Sequence, residues 1–430
     1  MSFDFFLPCP RGLEAPLAAE LAEIASQHLN GAAFTAGAQV PGGVHFRGGW
    51  AAGMAANLHS RLASRVLLKI AQRPYRSEQD IYALALEQRW EQWFSAHETL
   101  RVDVTAIKSP LRSLEFTTLR VKDAICDRLR EKSGARPSID TAMPDVRVFA
   151  FLTATDCTLY LDTSGDPLFK RGWRLDKGAA PLRENLAAGI LRLTGWQAGT
   201  PLYDPMCGSG TFLAEAAQVA LNIAPGVERR FGFEKLKQFD AKAWRELKNA
   251  ALDAKQSARN WRADLQIFGS DISGDMLEKA RANFERAGLP TIALKQLDAR
   301  DMTPPSSTAG ILVANPPYGE RIEVRGRNAR GELREGRGNR DNRDDDSFRR
   351  IQEEAPDSEF FQLLGNALKQ RFAGWNAFIL TSDRKLPGQL RLRESTKTPL
   401  FNGALECRLF RFDLIAGSVR QRPQGDASGG

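Results

Sequence analysis

The chain has 430 residues, with 60 Lys and Arg against 52 Asp and Glu, a formal net charge of +8 and 42% hydrophobic residues. This apolar content is enough for packed cores, so a wholly disordered protein is excluded, and the length predicts two to four domains. The positive charge suits a polyanionic partner such as nucleic acid, although many basic proteins bind none.

The sequence gives no sign of a membrane segment, a secretion signal or a metal site. No apolar run reaches the roughly 18 residues that a membrane helix needs, and the first residues lack a basic signal-peptide segment. The five cysteines are widely spaced, without CxxC or zinc-ligand spacing: Cys9, Cys126, Cys157, Cys207 and Cys407. We therefore expect a reduced, cytoplasmic protein that neither enters a membrane nor binds a structural metal. The sequence leaves protein partners and oligomeric state undetermined.

Residues 1–162 predict two small α+β units. In residues 1–56 the hydrophobic pattern predicts a strand at 3–7, a helix at about 12–29 and a strand at 42–46. In residues 57–162 it predicts the following elements: helices at 58–66, 81–94 and 119–129, a strand at 100–107, and a hairpin of strands 146–153 and 157–161.

A polar connection at residues 162–177 carries the basic residues Lys170, Arg171 and Arg174 around Trp173. One interpretation is a solvated linker. The other is a basic, aromatic strip near the path of a nucleic-acid substrate, in which these three cations contact RNA. The sequence alone does not decide between them.

Residues 163–418 predict a doubly wound, mostly parallel α/β sheet with an antiparallel end. The strands and helices alternate as follows: helix 182–193, strand 202–204, helix 211–221, strand 265–271, helix 275–287, strands 291–297 and 311–314, helix 358–372, strand 377–381, and strands 396–401 and 405–414. Asn402-Gly403 predicts a tight hairpin between the last two strands.

Two insertions and a tail interrupt this pattern. Residues 222–263 are charged and predict helix, whereas residues 323–355 are rich in Arg, Gly, Asn and Asp and contain hardly an apolar side chain. Such a composition cannot form a core, so this second insertion is either an RNA-contacting segment or a species-specific loop without function. Residues 419–430 predict a disordered tail.

A glycine-rich turn follows the strand at 202–204. Gly residues between a strand and a helix let the backbone approach a ligand closely, and the helix N-terminus favours an anionic group. A structural turn would account for the glycines alone. As a cofactor site, the turn predicts contacts from Asp204, Cys207, Gly208, Ser209, Gly210 and Thr211.

Acidic residues follow the next two strands. Asp271, followed by Ile272, ends the strand at 265–271. Its carboxylate can accept hydrogen bonds from both hydroxyls of a ribose. Asp298, followed by Ala299, ends the strand at 291–297 and can accept a hydrogen bond from an adenine amine. Each acid by itself is more often a helix cap or a loop residue.

The most specific segment begins with Asn315, directly after the buried strand at 311–314. Pro316 and Pro317 fix the backbone and remove two N–H donors, so their carbonyls are left to accept hydrogen bonds. The Asn315 amide oxygen beside the Pro316 carbonyl can accept both protons of an exocyclic amine, and Tyr318 can stack on a planar base. Arg321, three residues further on, is expected to contact RNA.

The order of these segments is more informative than any one of them. A Gly turn, two acids and Asn-Pro-Pro-Tyr, each after a successive strand, predict an S-adenosylmethionine pocket beside an amine-accepting site. No cysteine lies near Asn315, which argues against a 5-methylcytosine mechanism with a Cys nucleophile.

With these residues in hand, the chain resembles class I methyltransferases of the Asn-Pro-Pro-Tyr group, and more narrowly the THUMP-containing bacterial 23S rRNA guanine-N2 methyltransferases. The resemblance rests on the segments at 180–188, 204–217, 315–318 and 402–407 and runs over nearly the whole chain. It implies that residues 1–56 form a ferredoxin-like domain and residues 57–162 a THUMP domain, both holding RNA, before a Rossmann-like catalytic domain with one S-adenosylmethionine. Some members of this family carry a second methyltransferase domain, and the segment at 323–355 departs from the family pattern.

The resemblance predicts methylation of the exocyclic N2 of a guanine in 23S rRNA, either naked or in a ribosomal precursor. A tRNA guanine-N2 methyltransferase is the alternative among enzymes. DNA adenine or protein glutamine methylation uses a similar loop, but the RNA-binding type of N-terminal half argues against both. The alternative from another class is a non-catalytic RNA-binding assembly factor.

Overall fold

The computed structural model describes residues 2–29, 31–175, 182–259, 265–316 and 358–415. The predictions for residues 323–355 and 419–430 lie outside these ranges. Among the described helices, none combines the length and the apolar character that crossing a lipid bilayer requires.

One seven-stranded sheet is shared by the whole N-terminal region, in the order β2-β3-β1-β4-β7-β6-β5. Its strands are β1 (Phe3–Pro8), β2 (Phe34–Val40), β3 (Gly43–Gly48), β4 (Leu67–Pro74), β5 (Leu100–Ala106), β6 (Val146–Leu152) and β7 (Asp156–Asp162). Strand β1 pairs with β3 on one side and β4 on the other, and β4 also pairs with β7. The two predicted α+β units are therefore joined by a continuous hydrogen-bonded sheet.

The described helices that accompany this sheet are α1 (Glu14–His28), α2 (Trp50–His59), α3 (Glu78–Leu86) and α4 (Leu114–Ser133). The helix predicted at 58–66 is wrong, since α2 ends at His59 and the backbone of Ser60 is extended. The helix predicted at 81–94 is too long. It ends at Leu86, and a short 3₁₀ turn at Trp90–Gln92 follows, which places Trp90 wholly inside the core.

The C-terminal region forms the predicted doubly wound sheet, in the order β10-β9-β8-β11-β12-β14-β13. Its strands are β8 (Leu202–Asp204), β9 (Ile267–Asp271), β10 (Ala293–Gln296), β11 (Ile311–Ala314), β12 (Asn376–Thr381), β13 (Thr396–Asn402) and β14 (Leu405–Asp413). Its helices are α5 (Glu184–Thr194), α6 (Thr211–Ala220), α7 (Ala241–Arg259), α8 (Gly274–Arg286), α9 (Ser358–Arg371) and α10 (Leu386–Leu390). The first five strands are parallel, and β14 runs antiparallel to β12 and β13.

The predicted hairpin exists, but its turn is shifted by one residue. Asn402 pairs with Leu405, so Gly403 and Ala404 occupy the two central positions. Gly403 has φ +68°, in the left-handed region. A glycine at the first central position is what a type II′ turn requires.

Candidate functional site

The predicted site segments meet at one edge of the C-terminal sheet. Strands β10, β9, β8 and β11 are neighbours and parallel, so their carboxyl ends point the same way. Adjacent strands lie about 4.8 Å apart. The Gly turn after β8, Asp271, Asp298 and Asn315 therefore lie along one edge of the sheet, which we call the crevice because open α/β sheets bind ligands at this position.

The glycine turn adopts a backbone that only glycine accommodates easily. Gly208 has φ +51° and Gly210 has φ +81°, both in the left-handed region. A Cβ on Gly210 would lie 2.6 Å from the ring of Phe284, so the close approach of α8 to the turn also requires glycine. Because Gly210 has no side chain, it cannot cap the first N–H groups of α6, which begins at the end of the glycine turn.

Asp271 ties two loops of the crevice together. Its Oδ2 accepts a hydrogen bond from the Gly208 N–H at 2.8 Å, and its Oδ1 accepts one from the Ser273 N–H at 2.9 Å. The neighbouring Ser270 carbonyl accepts the Cys207 N–H at 2.9 Å. The glycine turn is thus held to the end of β9 by two backbone donors.

Asp204 is a buried carboxyl, and no cation in the described part of the chain pairs with it. It is 2% exposed, and its Oδ1 accepts the Met206 N–H at 3.1 Å. Burial raises the pKa of Asp204 well above its ordinary value, and the nearby Asp271 carboxylate raises it further. None of the described cations forms an ion pair with it. Because a buried, unpaired carboxylate is costly, this corner favours a ligand that carries positive charge.

Cys207 is a buried thiol within the glycine turn. It is 6% exposed, and its Sγ lies 3.3 Å from where a Cβ of Gly269 would be. Burial, and then the carboxylates of Asp204 and Asp271, raise the pKa of the Cys207 thiol, so it stays protonated at neutral pH. This agrees with the sequence argument against a cysteine mechanism.

Asp298 already has a partner that the sequence analysis overlooked. Arg300 Nη2 lies 2.6 Å from its Oδ2, and the Arg300 N–H donates to its Oδ1 at 2.9 Å. The Arg300 hydrogen bonds lower the pKa of Asp298 and keep it ionised. The carboxylate remains an acceptor, but an adenine amine would share it with this guanidinium. Beside it Ala299 is buried, whereas Ile272 on the next loop is 58% exposed and offers an apolar surface.

Asn315 and Pro316 stand at the end of β11 next to the glycine turn. The strand itself is completely buried, Asn315 is half-buried and Pro316 is buried. Pro317, Tyr318 and Arg321 lie outside the described residues. Within the described ranges, no group of three His, Cys, Asp or Glu could hold a metal ion.

Two further residues shape the crevice, and sequence reasoning missed both. Asn283 on α8 donates a hydrogen bond from Nδ2 to the Ser209 carbonyl at 3.0 Å, which ties the glycine turn to this helix. Gly269 lies where a Cβ would overlap Leu213. A glycine two residues before Asp271 was a visible signal for the second, but a lone Asn on a helix gave none for the first.

The segment after β7 corrects both interpretations made from the sequence. Arg171 is 4% exposed, and its Nε lies 3.2 Å from Glu215 Oε1. Trp173 is 4% exposed, and the Arg174 side chain is buried beside Glu184 at 3.5 Å. Only Lys170 of this group is exposed. The described part is therefore neither a solvated linker nor a surface strip, and Arg171 and Arg174 are placed for structural contacts instead of RNA.

These buried cations join the N-terminal region to helix α6. Arg171 donates to the Arg61 carbonyl at 2.6 Å, and Arg61 donates to the Gln218 carbonyl at 3.2 Å. Glu215 and Gln218 belong to α6, the helix that begins at the glycine turn. The orientation of the N-terminal sheet relative to the crevice is thereby fixed by charged hydrogen bonds.

Three protein-family models match the chain in succession. Residues 4–67 match the RlmL ferredoxin-like domain, residues 75–162 match the THUMP domain, and residues 171–333 match the RMKL-like methyltransferase domain. The matches follow the predicted order of domains. The boundaries predicted at residues 56 and 162 remain predictions.

Relatives over the full chain agree with these matches. The ribosomal RNA large subunit methyltransferase K/L of Aeromonas hydrophila is 36% identical over 98% of this chain, which spans 56% of that protein. A Synechocystis protein inferred to be an RNA methyltransferase is 34% identical, over 95% of this chain and 96% of its own length. The crystal structure of a protein inferred to be a methyltransferase, in complex with SAH, covers 97% of this chain and 99% of its own chain. It is 27% identical in sequence, and its TM-score is 0.77.

Proposed function

Since the chain belongs to the family of THUMP-domain RNA methyltransferases, we propose that it transfers a methyl group from S-adenosylmethionine to the exocyclic N2 of a guanine in large-subunit ribosomal RNA. One observation carries the proposal: the glycine turn, Asp271, Asp298 and Asn315 follow neighbouring parallel strands, at the same edge of one sheet. The ribosomal substrate is supported by the name of the Aeromonas relative, of which this chain spans about half. The reaction would take place in the cytoplasm.

The crevice fits S-adenosylmethionine by charge. This cofactor carries a positive sulfonium and a positive amino group, and Asp204 is a buried carboxyl with no cation paired to it among the described residues. The glycine turn would hold the carboxylate end through the first N–H groups of α6. Asp271 would accept the ribose hydroxyls, Asp298 the adenine amine, and the exposed side chain of Ile272 would contact the base.

Asn315 and Pro316 would receive the amine of the substrate base. The Asn315 amide oxygen and the Pro316 carbonyl would accept hydrogen bonds from its two N–H groups and aim the nitrogen lone pair into the crevice. After methyl transfer the nitrogen would lose one of these protons to water. When bound, S-adenosylmethionine supplies the electrophilic methyl group. The four histidines all precede residue 98, so none comes from the segments that form the crevice. A histidine general base is therefore not part of the proposed mechanism. Catalysis by these residues is then mainly orientation, which can supply about 7–11 kcal/mol.

Labelled S-adenosylmethionine and total RNA from cells that lack this protein test the proposal. After the reaction, the RNAs are separated by size. Label in the large-subunit ribosomal RNA supports the proposal, and label in tRNA supports the alternative substrate. Binding of S-adenosylmethionine without transfer to any naked RNA would direct the search to ribosomal precursor particles. Failure to bind S-adenosylmethionine would refute the proposal and favour an RNA-binding assembly factor.

A further inference from the structure

The β13–β14 hairpin places its turn on the same edge of the sheet as Asn315. Strand β12 runs parallel to β11, and the register of β14 against β12 and β13 brings the turn to the carboxyl ends of these strands. Three strand spacings separate β13 from β11, or about 14 Å. Gly403 and Ala404 are exposed and Leu405 is 44% exposed. The proposed methyl transfer leaves this turn without a role.

One exposed arginine flanks the hairpin from the N-terminal region. The Arg11 guanidinium lies 5.0 Å from the centre of the Phe401 ring. A Cβ on the next residue, Gly12, would lie 2.9 Å from Leu400 Cδ2, so this loop packs tightly against β13. Glu14 lines the cleft beside Arg11 but forms no ion pair with it in the described part of the chain, and its carboxylate accepts the Gly12 and Gly42 N–H groups at 2.8 and 2.7 Å.

A second exposed arginine flanks the turn from the start of α5. The Arg183 guanidinium lies 5.0 Å from the centre of the Phe169 ring, and its Nη2 lies 3.6 Å from where a Cβ of Gly403 would be. In the described part of the chain, neither Arg11 nor Arg183 forms an ion pair with a carboxylate. Each guanidinium instead lies over an aromatic ring, at 5.0 Å from the ring centre.

Arg11, Phe401, Gly403, Arg183 and Phe169 thus form a continuous strip, which we call the hairpin strip. A cleft of about 390 Å³ opens beside Arg11, between residues 39–41 and β13. Two unpaired guanidinium groups with adjacent rings match a phosphate backbone with unstacked bases. An RNA strand carries a phosphate at every nucleotide and can therefore meet both guanidinium groups. A partner protein would need carboxylates at the two matching positions.

We propose that the hairpin strip binds backbone phosphates of the RNA strand next to the target base, and so presents that base to Asn315. This inference rests on the proposed function, because it takes RNA as the substrate. Phosphate contacts of this kind set register and orientation without reading sequence. The strip joins the N-terminal region to the catalytic edge, so it would carry the strand from the RNA-binding sheet to the crevice.

Arg11→Gln, Arg183→Gln and the double variant test the strip, with Arg245→Gln as the matched control, since Arg245 is an exposed arginine on α7. The probes are a short fluorescein-labelled single-stranded RNA, for affinity at several salt concentrations, and methyl transfer to ribosomal RNA. Each single variant should weaken RNA binding about fivefold and lower the salt slope by about 0.7–0.9. The KM for RNA should rise, whereas the kcat at saturating RNA and the affinity for S-adenosylmethionine should not change.

RNA affinity and salt slope equal to wild type in the double variant would overturn the inference, whatever the enzyme methylates. An equal loss in the Arg245→Gln control would also overturn it, because the effect would then be one of overall charge. If the wild-type protein methylates no RNA, the proposed function fails by itself. The oligonucleotide affinities still decide whether the strip binds RNA.

Discussion

Replacing Asp204 with Asn should change cofactor binding and stability in opposite directions. The substitution keeps the volume of a side chain that is 2% exposed and removes only its charge. In the ligand-free protein that charge is buried beside Asp271 with no described cation paired to it, which is why the pKa of Asp204 is raised. With S-adenosylmethionine bound, the same charge would attract a cation.

Both magnitudes follow from this placement. Losing one hydrogen bond to a charged group costs about 1.5–3 kcal/mol, so the variant should bind S-adenosylmethionine about 10- to 150-fold more weakly. Each unit by which the folded pKa is raised destabilises the ionised protein by about 1.4 kcal/mol. This cost grows with pH above the ordinary Asp pKa and is complete above the raised pKa, so Asp204→Asn should stabilise the ligand-free protein at pH 8, by about 2–4 °C in Tm for each kcal/mol.

Thermal unfolding of the ligand-free proteins at pH 8 and calorimetric titration with S-adenosylmethionine measure the two effects. Asp253→Asn is the control, because Asp253 is an exposed carboxylate on α7 of the same domain. It should change neither quantity. A lower Tm together with weaker binding in Asp204→Asn would refute the reasoning, since it would mean that Asp204 stabilises the fold.

Three further outcomes follow from the same contacts. The affinity for S-adenosylmethionine should rise with pH up to the raised pKa of Asp204 and level off above it, because the cation binds the carboxylate and releases a proton. In Asp204→Asn a titration over the same pH range should lose this rise, and an unchanged rise would implicate another group. Gly210→Ala should lower Tm more than Gly199→Ala. Both glycines have positive φ, but only at Gly210 would the added Cβ meet a ring, that of Phe284 at 2.6 Å. Equal losses of Tm would contradict the packing argument. Glu215→Gln should cost about 3 kcal/mol of unfolding free energy in urea, because it leaves Arg171 buried without its partner; a loss below about 1 kcal/mol would contradict it.

The catalytic sheet was predictable because its strands are short, apolar and separated by clear turns. Strand β11 has the predicted bounds, and the four polar segments follow strands that are neighbours in the sheet. The Gly403 turn was placed one residue early, since Asn-Gly is the stronger sequence signal but pairing of Asn402 with Leu405 sets the register.

Long-range contacts could not be predicted from local patterns. Strand β2 has small and mostly exposed residues, so no alternation marked it, and it forms only because β3 lies beside it. Arg171 appeared to be a surface cation, because its partner Glu215 lies 44 residues away and on another element. The same holds for Arg11 and Phe401, which only the folded chain brings together.

The identity of the methylated nucleoside tests the central claim most directly. Ribosomal RNA from cells that lack the protein is incubated with S-adenosylmethionine and the enzyme, digested to nucleosides and analysed by mass spectrometry, with Asn315→Ala in parallel. The account predicts N2-methylguanosine with the wild-type protein, and a much lower yield with Asn315→Ala at unchanged affinity for S-adenosylmethionine. N6-methyladenosine as the product, or full activity of Asn315→Ala, would contradict it.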